Sequence, residues 1–498
     1  MDFDLLYMES KILEQTPYAR DLIRDLKLDL LLGTMSEGDK TVYEACASVL
    51  TNPLITAQSI RLRNEVMRDA VKNGEAFESL CTVVRELLSR TRKYAEYVKP
   101  KYDKVISNGN KTVNETEIAQ IFVEGLKGLN ALLSRHKHSF QAEGLLRLCG
   151  EVNDTLSGEY ISRIQARIEE LSALKQGSSV MVSGHIGEGL KQADIVLDRY
   201  VSQEKRTRLS ISFRSVAIPL NSITLIQNAQ EITEKALAPL LTIITGFNRA
   251  VQSFFNKLDF QLKFFVGCVR LHRKLTELKV PVCYPELSDN GQHYESALLV
   301  DAGLALKDGN VPVGNDICFS KRRLALITGP NQGGKTTFLR SVGLAQLMAQ
   351  CGLFVTARQY ACPVFTGIFT HFPNGEDDGM RMGLLEVELN KLSKLVDALK
   401  PGALLLMNET FQTTTPGDAK LLAHEIVPAL MEAGVIVLFV THLYGYAMDV
   451  YEQKAENTLF LLAQRSGEGN NTYCMLEGPP FKTAYGQNLY KEVMKGTT

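Results

Sequence analysis

The sequence has no excess of charge of either sign. Its 498 residues contain 55 lysines and arginines against 56 aspartates and glutamates, which gives a formal net charge of -1. A protein that covers nucleic acid through bulk electrostatics needs a large positive excess, so any phosphate binding by this chain must be local. The length also requires at least two cores, because single cores stop growing near ~250–300 residues.

Paired cysteines are missing too. The nine cysteines are spread singly along the chain, and no two of them form a C-x-x-C pair. Disulfide frameworks of secreted proteins and cysteine-based zinc sites both need grouped cysteines. The pattern therefore favours a reducing compartment, with most cysteines serving as small buried hydrophobic residues.

Long apolar runs and a secretion signal are lacking as well. The longest apolar stretches, at 236–247 and 435–440, are shorter than the ~20 residues that cross a bilayer. The first four residues, Met-Asp-Phe-Asp, are acidic where a signal peptide would be basic. These features predict a cytoplasmic protein that does not associate with membranes.

The apolar pattern changes near residue 280. Over residues 1–280 apolar side chains recur at helical spacing, which predicts a mostly α-helical region. Over residues 281–498 short, nearly continuous apolar runs alternate with turns and helical patterns, as in a parallel sheet covered on both faces. The predicted fold is therefore multidomain, a helical region followed by an α/β domain. The predicted strands of the α/β domain are 324–328, 403–407, 435–440 and 459–462.

The helical region contains two long helical patterns, at 115–174 and 222–278. Between them, residues 179–183 and 209–213 alternate apolar and polar side chains like short strands. One interpretation is a small clamp-like insertion near 177–219 at the tip of a helical arm. The alternative is an ordinary connecting loop with a helix inside it.

A phosphate-loop motif begins where the strand at 324–328 ends. Residues 329–336 read G-P-N-Q-G-G-K-T, fit the pattern G-x-x-x-x-G-K-[ST] and precede a helical pattern. The glycines allow backbone amides to surround phosphate oxygens, Lys335 would reach the β- and γ-phosphates, and the Thr336 hydroxyl would bind Mg²⁺. The α/β domain is thus predicted to be a P-loop nucleotide-binding domain. The predicted ATP-binding residues are Gly329, Pro330, Asn331, Gln332, Gly333, Gly334, Lys335, Thr336 and Thr337.

Two further predicted strands end in polar residues, Asn408-Glu409 and Thr441-His442. P-loop proteins place a Mg²⁺-associated carboxylate at such a strand end and, in some classes, a second carboxylate that polarises the attacking water. Glu409 is the predicted base, and Asn408 takes the metal-side position as a neutral amide that adds no charge against Mg²⁺. His442 is predicted to sense the γ-phosphate. The alternatives are a solvated charge at a strand end for Glu409 and a strand-capping histidine for His442.

With their surroundings, these motifs resemble the MutS family of DNA mismatch-repair ATPases. The family's phosphate loop reads T-G-P-N-M-G-G-K-S-T, and residues 328–337 here read T-G-P-N-Q-G-G-K-T-T. Other segments similar to family motifs are Asn315-Asp316, L-M-A-Q-C-G-L-F-V at 347–355, Val387-Glu388-Leu389, Thr441-His442 and K-T-A-Y-G at 482–486.

The resemblance implies a dimer, either of identical chains or of paralogues, with composite sites for ATP and Mg²⁺ and a C-terminal dimerisation element. It implies a P-loop, ABC-like ATPase domain, preceded by helical core and lever arms that close around DNA in a nucleotide-dependent way. Glu409 and His442 would belong to the catalytic machinery. An RNA or ribosome partner remains open.

Several departures from the family pattern bear on hydrolysis. Asn408 replaces the aspartate of the family's Asp-Glu pair, and residues 381–385 lack the serine of its G-x-S-T-F loop. Residues 310–314 contain no aromatic side chain that would stack on adenine. We therefore expect nucleotide binding with slow hydrolysis. The alternative function is a non-hydrolysing, nucleotide-gated dimeric scaffold that recruits a protein or ribosome partner.

Mismatch recognition is not expected. The chain begins directly in helical pattern, and its F-x-E triplet, Phe122-Val123-Glu124, lies inside a helical pattern rather than in a mismatch-reading domain. A basic cluster at 90–104 fits phosphate contacts and a solvated helix face equally well. The nucleic-acid contacts expected beside the predicted arm tip are Lys205, Arg206, Arg208 and Arg214.

Overall fold

The chain folds into two compact units. The first contains Glu75–Gln141 and Leu145–Leu262, and the second contains Asp4–Gly74, Ala142–Gly144 and Lys263–Thr498. The domain boundary near residue 280 stays a prediction. The computed structural model describes residues 4–6, 18–99, 107–155, 158–172, 179–186, 192–201, 223–288, 293–373, 383–466 and 470–480.

Helices dominate the chain before residue 280. Two of these helices begin at a side-chain cap: Asp39 accepts hydrogen bonds from the amides of Thr41 and Val42, and Ser107 accepts one from the amide of Asn110. Among the described residues, no helix combines the length and apolar character needed to cross a membrane. The α-helices are α1 (Ala19–Asp25), α2 (Leu28–Ser36), α3 (Lys40–Leu50), α4 (Ala57–Lys72), α5 (Gly74–Tyr97), α6 (Asn108–His136), α7 (Glu143–Thr155), α8 (Gly158–Ser172), α9 (Ile223–Glu277), α10 (Ala302–Asp308), α11 (Lys335–Gln350), α12 (Leu384–Val396), α13 (Pro416–Glu432) and α14 (Tyr444–Glu452).

The strands belong to three sheets. An antiparallel hairpin stands alone, a six-stranded sheet has the order β12-β11-β6-β10-β9-β8, and a four-stranded sheet has the order β3-β7-β4-β5. The strands are β1 (Ser179–Ile186), β2 (Gln192–Val201), β3 (Glu286–Leu287), β4 (Glu295–Leu299), β5 (Asn315–Cys318), β6 (Leu324–Thr328), β7 (Gln359–Cys362), β8 (Ile368–His371), β9 (Leu404–Asn408), β10 (Ile436–Val440), β11 (Thr458–Arg465) and β12 (Asn471–Glu477).

The two long helical patterns have different outcomes. The second pattern is one helix of 55 residues, α9, which accommodates Pro239. The first is divided into α6, a 3₁₀ turn at Lys137–Ser139, α7 and α8. The break after the 3₁₀ turn coincides with Phe140, which has an extended backbone and buries its ring against Phe77 at 6.2 Å between centroids. Burial of this aromatic ring accounts for a break that helical periodicity alone does not predict.

The segment between the two long helical patterns contains a β-hairpin, and the clamp-like insertion near 177–219 stays a prediction. β1 confirms the strand predicted at 179–183, and it pairs antiparallel with β2, which the sequence analysis did not predict. The other predicted strand, at 209–213, lies outside the described residues.

Phe122, of the F-x-E triplet, is a core residue of the first unit. It lies in α6, is fully buried and stacks on Phe255 with 6.3 Å between ring centroids. The expected helical location of the triplet is confirmed.

The six-stranded sheet organises the second unit. Its strands are parallel except β12, which runs antiparallel to β11. β6 and β9 are buried along their whole length, and α13 packs Ala423 and Val427 into the core beside β10. The predicted α/β region and its four predicted strands are confirmed, because two-sided burial produces the continuous apolar runs seen in the sequence.

Candidate functional site

The register of the parallel strands brings three predicted polar segments to one edge of the sheet. Val440 at the end of β10 pairs with Ile327 of β6 on one side and with Asn408 of β9 on the other. The segments that follow β6, β9 and β10 therefore leave the sheet side by side. Ligands of parallel sheets bind at this carboxyl edge.

The loop after β6 turns tightly against the end of β11. Gly329 has φ 130°, and a Cβ built there would lie 2.9 Å from the Ala463 Cβ. A Cβ at Gly333 would lie 3.0 Å from the same atom. The two glycines are needed because Ala463 occupies the space that a side chain at either position would fill.

Helix α11 begins at Lys335, and its N-cap residue Gly334 has φ 88° and provides no side-chain cap for the first turn. The first amides of α11 therefore have no side-chain acceptor at its N-cap, and Gly333, Gly334 and Lys335 line a cavity there. An uncapped helix N-terminus of this kind carries a partial positive charge and attracts anions.

The Lys335 ammonium is held within the loop. The side chain is 4% exposed, and Nζ donates to the carbonyl oxygens of Gly329 at 3.0 Å and Pro330 at 2.8 Å. Burial lowers the pKa of Lys335 to about 8, and the nearby Glu409 carboxylate opposes that shift. A buried cation held by two neutral carbonyl groups is well suited to receive an anionic ligand.

The next residue contacts the end of β9. Thr336 Oγ1 donates to Asn408 Oδ1 at 2.9 Å, and Asn408 is buried. The predicted metal-side pair is therefore brought together. A hydroxyl and an amide oxygen can both bind Mg²⁺, although neither contributes a negative charge.

Glu409 and His442 form a pair that the sequence analysis treated as two separate roles. His442 Nε2 donates to Glu409 Oε1 at 2.8 Å. This hydrogen bond lowers the pKa of Glu409 below its usual value, whereas partial burial acts in the opposite direction. Glu409 also has φ 54°, and its amide donates to the Val440 carbonyl at 2.8 Å, which fixes it against β10.

These groups surround a cavity of about 830 Å³. Residues 310–313 form another part of its lining, with Val311 and Val313 partly exposed. Besides these, the lining residues include Leu299, Asp301, Asn331, Gln332, Thr336, Thr337, Glu409, Gln412, His442 and Tyr473. The cavity is large enough for a nucleotide-sized ligand.

Tyr473 is an aromatic residue of the cavity that the sequence analysis missed. It lies on β12, half exposed, and its ring is 3.3 Å from where a Gly334 Cβ would be. Asn315 holds this part of β12, because Nδ2 donates to the Tyr473 carbonyl at 3.2 Å and Oδ1 accepts from the Met475 amide at 2.6 Å. The sequence analysis gave Asn315-Asp316 only as a segment similar to a family motif, without a role at this site.

Some predicted residues cannot be placed. Lys205, Arg206, Arg208 and Arg214 lie outside the described residues, as do 381–382 of the altered signature loop and the 482–486 segment. In the other basic cluster, Arg90 pairs with Glu124 at 2.9 Å on the surface of the first unit.

Comparison with known proteins finds two family models that match most of the chain. One is described as the MutS2 N-terminal domain and matches residues 55–278, and the other is described as MutS domain V and matches residues 325–489. The chain is a divergent member of the MutS family. The second match contains the phosphate-loop motif, Glu409 and His442, whereas the cavity-lining residues between 299 and 315 lie before it.

Relatives named DNA mismatch repair protein MutS match different shares of the chain. The protein from Bacillus velezensis is 24% identical over 441 residues, which cover 79% of this chain and 49% of the relative. The protein from Thermotoga petrophila is 35% identical over 159 residues, which cover 30% of this chain and 20% of the relative. The chain thus spans about half the length of the Bacillus velezensis MutS.

Proposed function

We propose that the chain is a Mg²⁺-dependent ATP-binding protein with a P-loop, ABC-like ATPase domain that hydrolyses ATP slowly. It would act as a dimer of identical or paralogous chains and bind DNA in a nucleotide-dependent way without mismatch specificity. The observation that supports this most strongly is the strand register that gathers Lys335, Thr336, Glu409 and His442 around one cavity.

The loop suits a triphosphate, because its glycines let the backbone pack against Ala463 while Gly333, Gly334 and Lys335 line the cavity. The α11 amides and the Lys335 ammonium would bind the phosphate oxygens. Tyr473 and the apolar side chains of 311–313 offer surfaces for the base. Glu409 would accept a proton from the attacking water, and His442 would hold that carboxylate and report the γ-phosphate.

Thr336 and Asn408 would hold Mg²⁺, which would neutralise charge on the phosphates. Within the described ranges, no group of three or more His, Cys, Asp or Glu side chains is placed to hold a metal alone. The ion would therefore take most of its oxygen ligands from the nucleotide and water. The neutral Asn408 supports slow hydrolysis as part of this proposal.

DNA is the proposed partner because the curated relatives are named for DNA mismatch repair. Buried Phe122 supports the absence of mismatch reading by the F-x-E triplet.

Asn408 also favours a second candidate, a non-hydrolysing scaffold gated by nucleotide that recruits a protein or ribosome partner. Single-turnover ATP hydrolysis separates the two functions.

The DNA proposal is tested by equilibrium binding of labelled duplex DNA with ATP, with ADP and without nucleotide over a salt series. We expect affinity to differ by about tenfold between nucleotide states, as for ordinary allosteric coupling, and to fall with rising salt. An RNA duplex of the same length and a mismatched DNA duplex serve as comparison arms. Affinity that is the same in all nucleotide states would reject the proposal, and preference for RNA would favour the second candidate.

The pH dependence of ATP binding is a separate prediction. Since the pKa of Lys335 is about 8 in the free protein and ATP requires its charged form, affinity should be constant below that pH and fall above it. We expect binding about tenfold weaker at pH 9 than at pH 7, measured by titration calorimetry. Lys335→Arg should flatten the profile, because arginine stays charged throughout. A flat wild-type profile to pH 9.5 would contradict the assignment.

A further inference from the structure

The loop that carries Glu409 has an unusual backbone. Glu409 has φ 54° and Phe411 has φ 72°, so two of three consecutive residues lie in the left-handed region without being glycine. Such conformations persist only where neighbouring contacts hold them. The contacts that hold this loop therefore control where Glu409 and its neighbours point.

Glu388 of α12 provides the most direct of these contacts. One carboxylate oxygen, Oε1, accepts the Phe411 amide at 2.7 Å, and the other, Oε2, accepts the Thr413 hydroxyl at 2.7 Å. Both oxygens are thus used on the same loop. Hydrogen bonds to an ionised carboxylate are stronger than those between neutral groups.

The two residues bound by Glu388 flank Gln412. Gln412 lines the cavity, and its side chain contributes a hydrogen bond that helps to lower the pKa of Glu409. Glu388 itself is not among the cavity-lining residues. It therefore reaches the cavity only through the loop that it fixes on both sides of Gln412.

The remaining contacts hold other points of the loop. The Glu409 amide is bound by β10, and Thr410 Oγ1 lies 3.0 Å from Nδ1 of the buried His371. The Phe411 ring is fully buried in the core. Glu388 adds polar contacts to Phe411 and Thr413, which follow the left-handed residue Glu409 in the loop.

Helix α12 is itself anchored next to this contact. Lys391, one turn after Glu388, forms an ion pair with Asp21 at 3.3 Å and donates to the Phe372 carbonyl at 3.4 Å. The helix that carries Glu388 is therefore held in place by contacts of its own.

From these contacts we infer that Glu388 is a positioning residue that sets the loop 409–413, and with it Glu409 and Gln412, in the geometry for ATP hydrolysis. The inference rests on the proposed function, in which Glu409 is the base. Glu388 touches neither substrate nor metal in this scheme. Its removal should lower the rate of the chemical step while leaving the phosphate loop, and hence ATP affinity, in place.

The test compares Glu388→Ala, Glu388→Gln and the wild type in single-turnover ATP hydrolysis and equilibrium ATP binding. We expect Glu388→Ala to lower the hydrolysis rate by about tenfold or more, which is the loss of a hydrogen bond to a charged group, with ATP Kd changed by less than about twofold. Glu388→Gln keeps an acceptor and the side-chain volume, so it should recover part of the rate. Glu386→Gln on the exposed side of the same helix is the matched control and should equal the wild type.

Amide hydrogen exchange of nucleotide-free protein supplies a readout that does not depend on activity. Exchange should rise in the segment 409–413 of both Glu388 variants and stay unchanged at 329–336. Equal hydrolysis rates in the wild type and the variants would overturn the inference while leaving the proposed function intact. Parallel loss of ATP binding and of rate would also overturn it, since Glu388 would then be a structural residue. A wild type that binds no ATP would instead reject the proposed function.

Discussion

Lys335→Ala is expected to weaken ATP binding by at least about a hundredfold, because in the proposed function the buried Lys335 charge contacts phosphate and water cannot replace it. The ammonium is 4% exposed and already held by two loop carbonyls at 2.8 and 3.0 Å. In the variant these carbonyl oxygens would lose the cation that they contact, and their partial negative charge would disfavour a triphosphate nearby. Equilibrium dialysis with labelled ATP measures the effect.

The control for this prediction is evidence that the variant still folds. Burial lowers the pKa of Lys335 to about 8, below its value in an unfolded chain. Near and above pH 8 the folded, nucleotide-free protein therefore binds fewer protons at Lys335 than the unfolded chain does. The buried charge therefore lowers the free energy of unfolding at neutral pH. This loss is relieved as pH rises from about 8 toward the pKa that Lys335 has in the unfolded chain. Lys335→Ala should accordingly melt no lower than the wild type at pH 7, and Lys400→Ala, an exposed lysine of the same unit, should bind ATP normally. Retained micromolar affinity in a folded Lys335→Ala would refute the site.

Much of the second unit could be predicted because its signals are local. The strands β6, β9 and β10 are buried on both faces, so their sequences are almost purely apolar. The phosphate loop is a single continuous segment between a strand and a helix, and its glycines are needed where Ala463 leaves no room for a side chain. In both cases the physical requirement, burial of a strand or close packing of a loop, acts on consecutive residues and is therefore visible in the sequence.

The contacts that complete the site could not be predicted, because they join distant parts of the chain. Glu409 and His442 are 33 residues apart and meet because β9 and β10 are adjacent in register. Tyr473 reaches the cavity from β12, an antiparallel edge strand whose placement depends on Asn315. The expectation that no aromatic stacks on a base came from residues 310–314 alone, and that segment does line the cavity. Tyr473, an aromatic residue that lines the cavity, comes from β12 instead.

In the helical region, too, contacts between distant residues decide features that the local sequence pattern does not predict. Periodicity predicts helices at 115–174 and 222–278, yet only the second is continuous. The first ends where Phe140 buries its ring against Phe77, a tertiary contact that outweighs the local preference for helix. β2 was missed because its pairing with β1, rather than a strong alternation of its own, defines it.

Glu409→Gln is expected to abolish ATP turnover while preserving ATP binding. Glutamine keeps the size of the side chain, and its amide oxygen can still accept the hydrogen bond that His442 donates at 2.8 Å. It cannot accept a proton, and loss of a general base costs about a hundredfold or more in the rate of the chemical step. The variant should therefore hold ATP without consuming it and accumulate as an ATP-bound dimer, seen by light scattering with and without ATP.

The electrostatics of Glu409 make this result specific to proton transfer. The hydrogen bond from His442 lowers the pKa of Glu409, so the carboxylate is ionised at neutral pH and the wild-type rate should fall only as pH drops through this lowered pKa. His442→Ala removes that bond, so the pKa of Glu409 should rise and the acidic limb of the rate profile should move to higher pH. Glu409→Gln should lack the limb altogether. Turnover equal to that of the wild type would remove Glu409 from the chemistry. If the wild type does not turn over but dimerises with ATP, the chain is the nucleotide-gated scaffold, since ATP binding alone would then drive its assembly.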